Sequence, residues 1–205
     1  ERQWREYYRK IAEVVAANRL RAAQALDVAV SNELQPLKLD GATFVTDISD
    51  LSREQFGPLG TQQVRFEAST NKGMKAGPID RIASGGELAR FLLALKVALE
   101  GDETGRTLIF DEVDSGVGGA VAAAVGERLA RLGQTTQTLV VTHSPQVAAK
   151  GDQHMKIAKT ATDSGVISGT KPLDDSARTE EIARMLAGEE ITAEARAAAL
   201  ALREG

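Results

Sequence analysis

Cysteine is absent from the 205 residues, which excludes disulfides and thiol chemistry and fits a reducing compartment. No apolar run approaches the roughly 18 residues that span a bilayer, and no signal peptide is visible, so no membrane partner is expected. Aromatic residues are scarce at 4%, which leaves the core to Ala, Leu and Val and favours packed helices around a modest sheet. The net charge of −4 gives no global basic field of the kind that announces a nucleic-acid binder. The first residue is Glu1 rather than Met, and an excised piece of a longer protein is expected on that ground. Length and composition suit one globular domain, or one and a half.

Proline and glycine are missing from Glu1 to about Leu34, an alanine-rich stretch that predicts one long helix. Trp4, Tyr7, Tyr8, Ile11, Val14 and Val15 recur at three- and four-residue steps, compatible with a coiled-coil seam over two heptads. Asn18 and Arg21 interrupt the seam, and Leu26, Val30 and Leu34 resume it in a shifted register. At about 1.5 Å per residue the helix reaches roughly 50 Å, long for a small domain and suited to the root of a longer coiled coil. Arg2, Arg5, Arg9, Lys10, Arg19 and Arg21 make it locally basic, for which a solvated face is the simpler account. Pro36 ends the helix. Leu37 to Ser49 and Gln62 to Ser69 are expected strands, joined through the turn Gly57-Pro58-Leu59-Gly60 into an antiparallel hairpin.

Chemistry concentrates at three places. Ile82-Ala83-Ser84-Gly85-Gly86-Glu87-Leu88 opens a helix that runs to about Glu100, with Leu88, Phe91, Leu92, Leu95 and Leu99 as its buried stripe. Ser84 as N-cap and Glu87 three residues on make a capping box. Two glycines weaken a helix start unless something approaches the backbone closely, and exposed N–H groups there make an anion site. Further on, Thr107-Leu108-Ile109-Phe110 runs straight into Asp111-Glu112. The apolar run reads as a strand buried on both faces, as in parallel sheets, which deliver their functional groups at the carboxyl ends. Adjacent carboxylates repel, and a Mg²⁺ ion held by Asp111 resolves that repulsion and leaves Glu112 free as a general base. Taken alone, the same run also fits a strand end with a solvated turn.

Val113 to Gly119 is a Gly-rich loop leading into an alanine-rich helix that ends near Leu132. Thr138-Leu139-Val140-Val141-Thr142 is a second apolar strand and ends at His143. Strand, helix and strand predict a parallel βαβ unit, which places His143 at the same sheet edge as Glu112. His154 has no such context and is expected to be structural. In the tail, Met155 to Ala158 and Val166 to Lys171 predict a hairpin, Asp175 or Ser176 caps a helix through Leu186, and Glu189 to Leu202 predicts a last helix.

In order, Ser84-Gly85-Gly86-Glu87, Leu108 to Glu112, and His143 resemble the signature motif, Walker B and switch histidine of the C-terminal lobe of an ABC-type ATPase head. Within that superfamily, Ile82 to Arg90, Ile109 to Gly119 and Val141 to Ala149 resemble the RecN family of bacterial SMC-like DNA repair proteins. The resemblance implies an α/β fold class: an ABC/SMC-type P-loop ATPase head, C-terminal lobe. Residues 1–35 would be the root of a coiled coil and 36–205 the C-terminal half of the head. It implies that Asp111 organises Mg²⁺ through water, Glu112 polarises the attacking water and His143 contacts the γ-phosphate of ATP. Ser84, Gly85, Gly86, Glu87 and Asp114 are the implied cofactor-binding residues, the serine and glycines acting on ATP held by the opposite protomer.

Two departures from the pattern stand out. The Asp of the D-loop is replaced by Gly118, and no Gly-Lys-Ser/Thr occurs, so the Walker A phosphate cradle is missing. In SMC-like proteins that motif precedes the coiled coil, so the resemblance implies half a head, inactive by itself. Its implied partners are the N-terminal Walker A half, a second head in an ATP-dependent homodimer, and DNA, in the cytoplasm at the nucleoid. The basic first helix and the loop with Lys72 and Lys75 are candidate DNA contacts. Two other classes stay open. An ABC transporter nucleotide-binding domain is disfavoured by the long first helix and the missing Walker A, and a non-catalytic DNA-linking or dimerisation module by the intact Glu112 and His143.

Overall fold

The computed structural model describes residues 1–82, 85–99, 105–162, 165–188 and 190–204, and the chain divides into two compact units, 1–100 and 101–205. In the first, α1 (Arg2–Leu34) is followed by β1 (Thr43–Asp50), β2 (Gln62–Ser69), the short β3 (Gly77–Pro78) and α2 (Gly85–Ala98). β1 and β2 pair antiparallel from Thr43↔Ser69 to Asp50↔Gln62, and β3 adds to β2.

The first strand starts later than expected. Leu37 to Ala42 is a turn, because the amides of Leu37 and Leu39 bond back to the carbonyl of Leu34 and that of Lys38 to Gln35. The last carbonyls of a helix need such partners. Lys38 takes the left-handed φ of 57° this requires, and Leu37 and Leu39 bury their side chains without forming a strand.

α1 lies along the β1–β2 hairpin. The Tyr8 hydroxyl donates to the Gly57 carbonyl at 3.0 Å, Arg19 to the Leu59 carbonyl at 2.7 Å, and the Thr46 amide to Asp27 Oδ1 at 2.8 Å. Ala12, Ala23, Val30 and Leu34 are buried, whereas Trp4, Tyr7, Ile11 and Val14, spaced as one heptad seam, stay exposed. In α2 the buried face runs through Arg90, Phe91, Leu93, Ala94, Leu95 and Val97. Leu92 and Leu99, expected in the buried stripe, face outward.

The second unit holds β4 (Thr107–Asp111), α3 (Gly119–Gly133), β5 (Gln137–Val141), α4 (Pro145–Ala149), β6 (Met155–Thr162), β7 (Gly165–Pro172), α5 (Asp175–Ala187) and α6 (Ala193–Glu204). β4 and β5 pair in parallel from Thr107↔Gln137 to Asp111↔Val141, with α3 as the crossover. α3 buries Ala122, Val125, Gly126, Leu129 and Leu132, a single face at helical spacing. At Gly126 a Cβ would come within 3.1 Å of the Gln146 carbonyl oxygen and 3.2 Å of Val147 Cα, so this glycine is what lets α4 close onto α3.

The expectation that β4 is buried on both faces is not met. Leu108, Phe110, Thr138 and Val140 are half-buried, but Ile109 is 71% exposed, Leu139 50% and Val141 47%. Among the described residues this sheet has two strands, and no described element of this unit covers its second face.

β6 and β7 form an antiparallel hairpin, longer than expected, that leaves Met155, Ile157, Val166 and Ile167 exposed. Asp174, one residue before the expected cap, is the N-cap of α5 and accepts from the Ala177 amide at 2.8 Å. The last helix starts at Ala193; Glu189, where it was expected to begin, lies outside the described residues. Ala149, Ile182, Ala183 and Ala199 form the small core joining α4, α5 and α6. Among the described residues no helix is long and apolar enough to cross a membrane.

Candidate functional site

The parallel register decides what meets at the edge of the β4–β5 sheet. Asp111 is the Cα partner of Val141, and the Glu112 amide donates to the Val141 carbonyl at 3.1 Å. His143 follows two residues later, and the side chains of Asp111, Glu112 and His143 are all exposed. The structure therefore brings these three expected residues to the carboxyl end of one sheet, where open α/β folds place their ligands.

Glu112 is held in the left-handed region at φ 50°, a conformation that non-glycine residues seldom adopt. Behind it the chain turns sharply: the Ser115 amide donates to the Glu112 carbonyl at 2.9 Å and the Val117 amide to the Asp114 carbonyl at 3.3 Å. Gly116 and Gly119 supply positive φ values of 74° and 55°. Gly118 does not; its backbone is extended and a Cβ there meets nothing within 4 Å.

Asp114, expected among the cofactor-binding residues, has a wholly buried side chain, with Oδ2 accepting from the Thr142 hydroxyl at 2.5 Å. The sequence marks Thr142 as the end of an apolar strand, and nothing in its spacing advertises the hydroxyl.

In the first unit, Gly85, Gly86 and Glu87 form the first turn of α2, Gly85 exposed and the other two half-buried. A Cβ on Gly85 would meet nothing within 4 Å, so the open backbone there is approachable from outside. Ser84, and with it the expected capping box, lies outside the described residues. One turn on, Arg90 is buried; burial lowers its pKa and the nearby Glu87 charge opposes that.

The loop after α4 has a support that sequence reasoning missed. Arg178, buried on α5, donates to the carbonyls of Ala148, Ala149, Gly151 and Asp152. His154 beside it is half-buried, and its Nδ1 is buried without a partner. Burial, then the Arg178 charge, hold its pKa below the ordinary histidine value.

Among the described residues no three carboxylates or histidines gather as a metal cage. A single exposed carboxylate such as Asp111 nonetheless fits Mg²⁺, which keeps several waters and takes one or two carboxylates together with phosphate oxygens. The fit to ATP is partial, since the sequence contains no Gly-Lys-Ser/Thr to form a Walker A phosphate cradle.

Comparison with solved structures gives the class. An SMC ATPase chain solved for the structural biochemistry of ATP-driven dimerisation and DNA-stimulated activation matches at a TM-score of 0.52 and 19% identity, over 83% of this chain and 97% of that one. The Smc head domain of Pyrococcus yayanosii, solved with a coiled coil and joint, matches at 0.54 and 18%, over 80% of this chain and 29% of that one. The fold is the α/β fold of an SMC-type ATPase head, in its C-terminal lobe.

No protein-family model matches the chain. Among curated proteins, the DNA repair protein RecN of Rickettsia bellii is 44% identical over 91% of this chain and 34% of its own length. That of Xylella fastidiosa is 43% identical over 94% and 34%, and that of Streptomyces coelicolor 39% over 95% and 36%. The chain is similar to these RecN proteins and spans about a third of their length.

Proposed function

We propose that this chain is the part of a RecN-type DNA repair ATPase that supplies the signature motif, Walker B and switch histidine to ATP hydrolysis. The observation that carries the proposal is the β4–β5 register, which sets Asp111, Glu112 and His143 at one sheet edge. Asp111 would hold Mg²⁺, Glu112 would polarise the attacking water, and His143 would contact the γ-phosphate and orient that water. The metal, when bound, neutralises charge on the phosphates. Ser84, Gly85 and Gly86, with Glu87, present the start of α2 to the γ-phosphate of an ATP on a second head. Such chemistry rests on positioning and charge stabilisation, which exposed groups on rigid strand ends and a helix N-terminus can supply.

The partners follow from what is uncovered. Parallel sheets are covered on both faces, yet Ile109, Leu139 and Val141 face outward. An N-terminal half of the head, carrying Walker A, supplies that cover and the missing phosphate cradle. The exposed seam of Trp4, Tyr7, Ile11 and Val14 supports reading residues 1–35 as the root of a coiled coil and residues 36–205 as the C-terminal half of the head. ATP-dependent pairing of two heads and contact with DNA come to this chain from the SMC ATPases it resembles, and a place in the cytoplasm at the nucleoid goes with them.

Glu112→Gln in the complete protein tests the assignment. It leaves ATP binding intact and lowers turnover by ~10²–10⁴-fold, the usual cost of losing a general base, so that an ATP-bound head dimer accumulates. Turnover near wild type removes Glu112 from the chemistry.

A further inference from the structure

The roles given to Glu112 and His143 leave Asp114 and Thr142 without a part, although both are built into the same sheet edge. Asp114 Oδ2 accepts a hydrogen bond from the Thr142 hydroxyl at 2.5 Å, and the same hydroxyl oxygen accepts from the Ser144 amide at 2.9 Å. His143 is the residue between Thr142 and Ser144, so the hydrogen bonds hold the chain on both sides of it. On the other strand, Asp114 lies two residues past Glu112, inside the turn closed by the Ser115 and Val117 amides. One hydroxyl thus joins the turn bearing Glu112 to the loop bearing His143. Burying a carboxyl costs free energy unless it is hydrogen-bonded, and here one oxygen, Oδ1, is buried with no partner. The oxygen that is bonded spans the two loops.

We propose that Asp114 is a positioning residue: through the Thr142 hydroxyl it locks the loop of His143 to the turn of Glu112 and fixes the separation of the two groups. The inference rests on the hydrolytic roles proposed for Glu112 and His143. It gives Asp114 an indirect part in the reaction and none in holding nucleotide.

The test uses the complete protein. Thr142→Val keeps the side-chain shape and removes the hydroxyl, and it lowers kcat for ATP hydrolysis by ~10–100-fold, the scale of a small misplacement of reacting groups, while KM for ATP stays within about twofold. Thr142→Ser restores most of the rate. Asp114→Ala combined with Thr142→Val is no slower than the slower single variant, because both remove one device. Wild-type rates in Thr142→Val, or a serine variant no better than the valine one, overturn the proposal. So does Asp114→Ala raising KM with kcat unchanged, which marks direct nucleotide contact. If Thr142→Val does not fold, Thr142→Ala is compared with Thr142→Ser in the same way. Glu112→Gln run alongside separates the two levels: retained hydrolysis there defeats the site assignment itself, whereas its loss beside a wild-type Thr142→Val defeats only the coupling.

Discussion

The Glu112 amide donates to the Val141 carbonyl at 3.1 Å, one hydrogen bond beyond Asp111 and Val141, the last paired residues of β4 and β5. That bond carries the parallel ladder past the end of the strand. It also holds Glu112 where the chain must reverse, and the backbone answers with a φ of 50°.

A left-handed conformation costs a side-chain-bearing residue about 1–2 kcal/mol, and glycine escapes it while losing about 0.5–1 kcal/mol in chain entropy. Glu112→Gly is therefore expected to stabilise the chain by about 0.5–1 kcal/mol in denaturant unfolding. Glu112→Gln, which keeps the strain, should leave stability unchanged. Equal loss of stability in both variants would show that the turn is not strained at this residue.

Arg178 holds the end of α4 by donating to four backbone carbonyls, with only 9% of its surface exposed. Lysine presents one compact ammonium in place of a planar fork and cannot reach the same set. Arg178→Lys is expected to cost about 2–3 kcal/mol, since buried acceptors lose their partners. An unfolding midpoint equal to that of the parent chain would contradict the capping role.

Acid should weaken the second unit in two stages. His154 is pushed down chiefly by burial, then by the Arg178 charge, with Glu181 opposing and Lys156 adding. Its folded pKa lies below the unfolded value near 6.5, so its contribution is present above about pH 6.5 and fades as pH falls toward the folded value. For Glu181, burial is the largest influence and raises the pKa, but hydrogen bonds and charge from Arg184 and Lys156 together outweigh it and leave the carboxyl low. That contribution is present above about pH 4.3 and is lost as pH falls through the folded value. In denaturant titrations across pH, His154→Asn should remove the upper stage and Glu181→Gln the lower. A flat profile between pH 7 and 3 would refute both.

The elements that frame the site were legible because each rests on a local rule. A stretch without proline or glycine gave α1, and apolar runs ending at Asp111 and near His143 gave β4 and β5 and their shared edge. Burial was less legible. Ile109 and Leu139 have the composition of enclosed strand residues, but no described element of this unit covers them. Leu37 and Leu39 alternate like strand residues, yet the free carbonyls at the end of α1 pull that segment into a turn. Neither the hydroxyl link from Thr142 to Asp114 nor the reach of Arg178 to α4 follows from periodicity. Both join residues roughly 30 positions apart, and only the folded chain brings them together.

On the proposed function, these residues take part in ATP hydrolysis only when joined to a Walker A half. ATP hydrolysis measured with the chain alone, with a Walker A half alone, and with the two mixed tests it most directly. Turnover is expected only in the mixture, and Glu112→Gln should abolish it. Turnover by the chain alone, or a mixture indifferent to Glu112→Gln, would contradict the account.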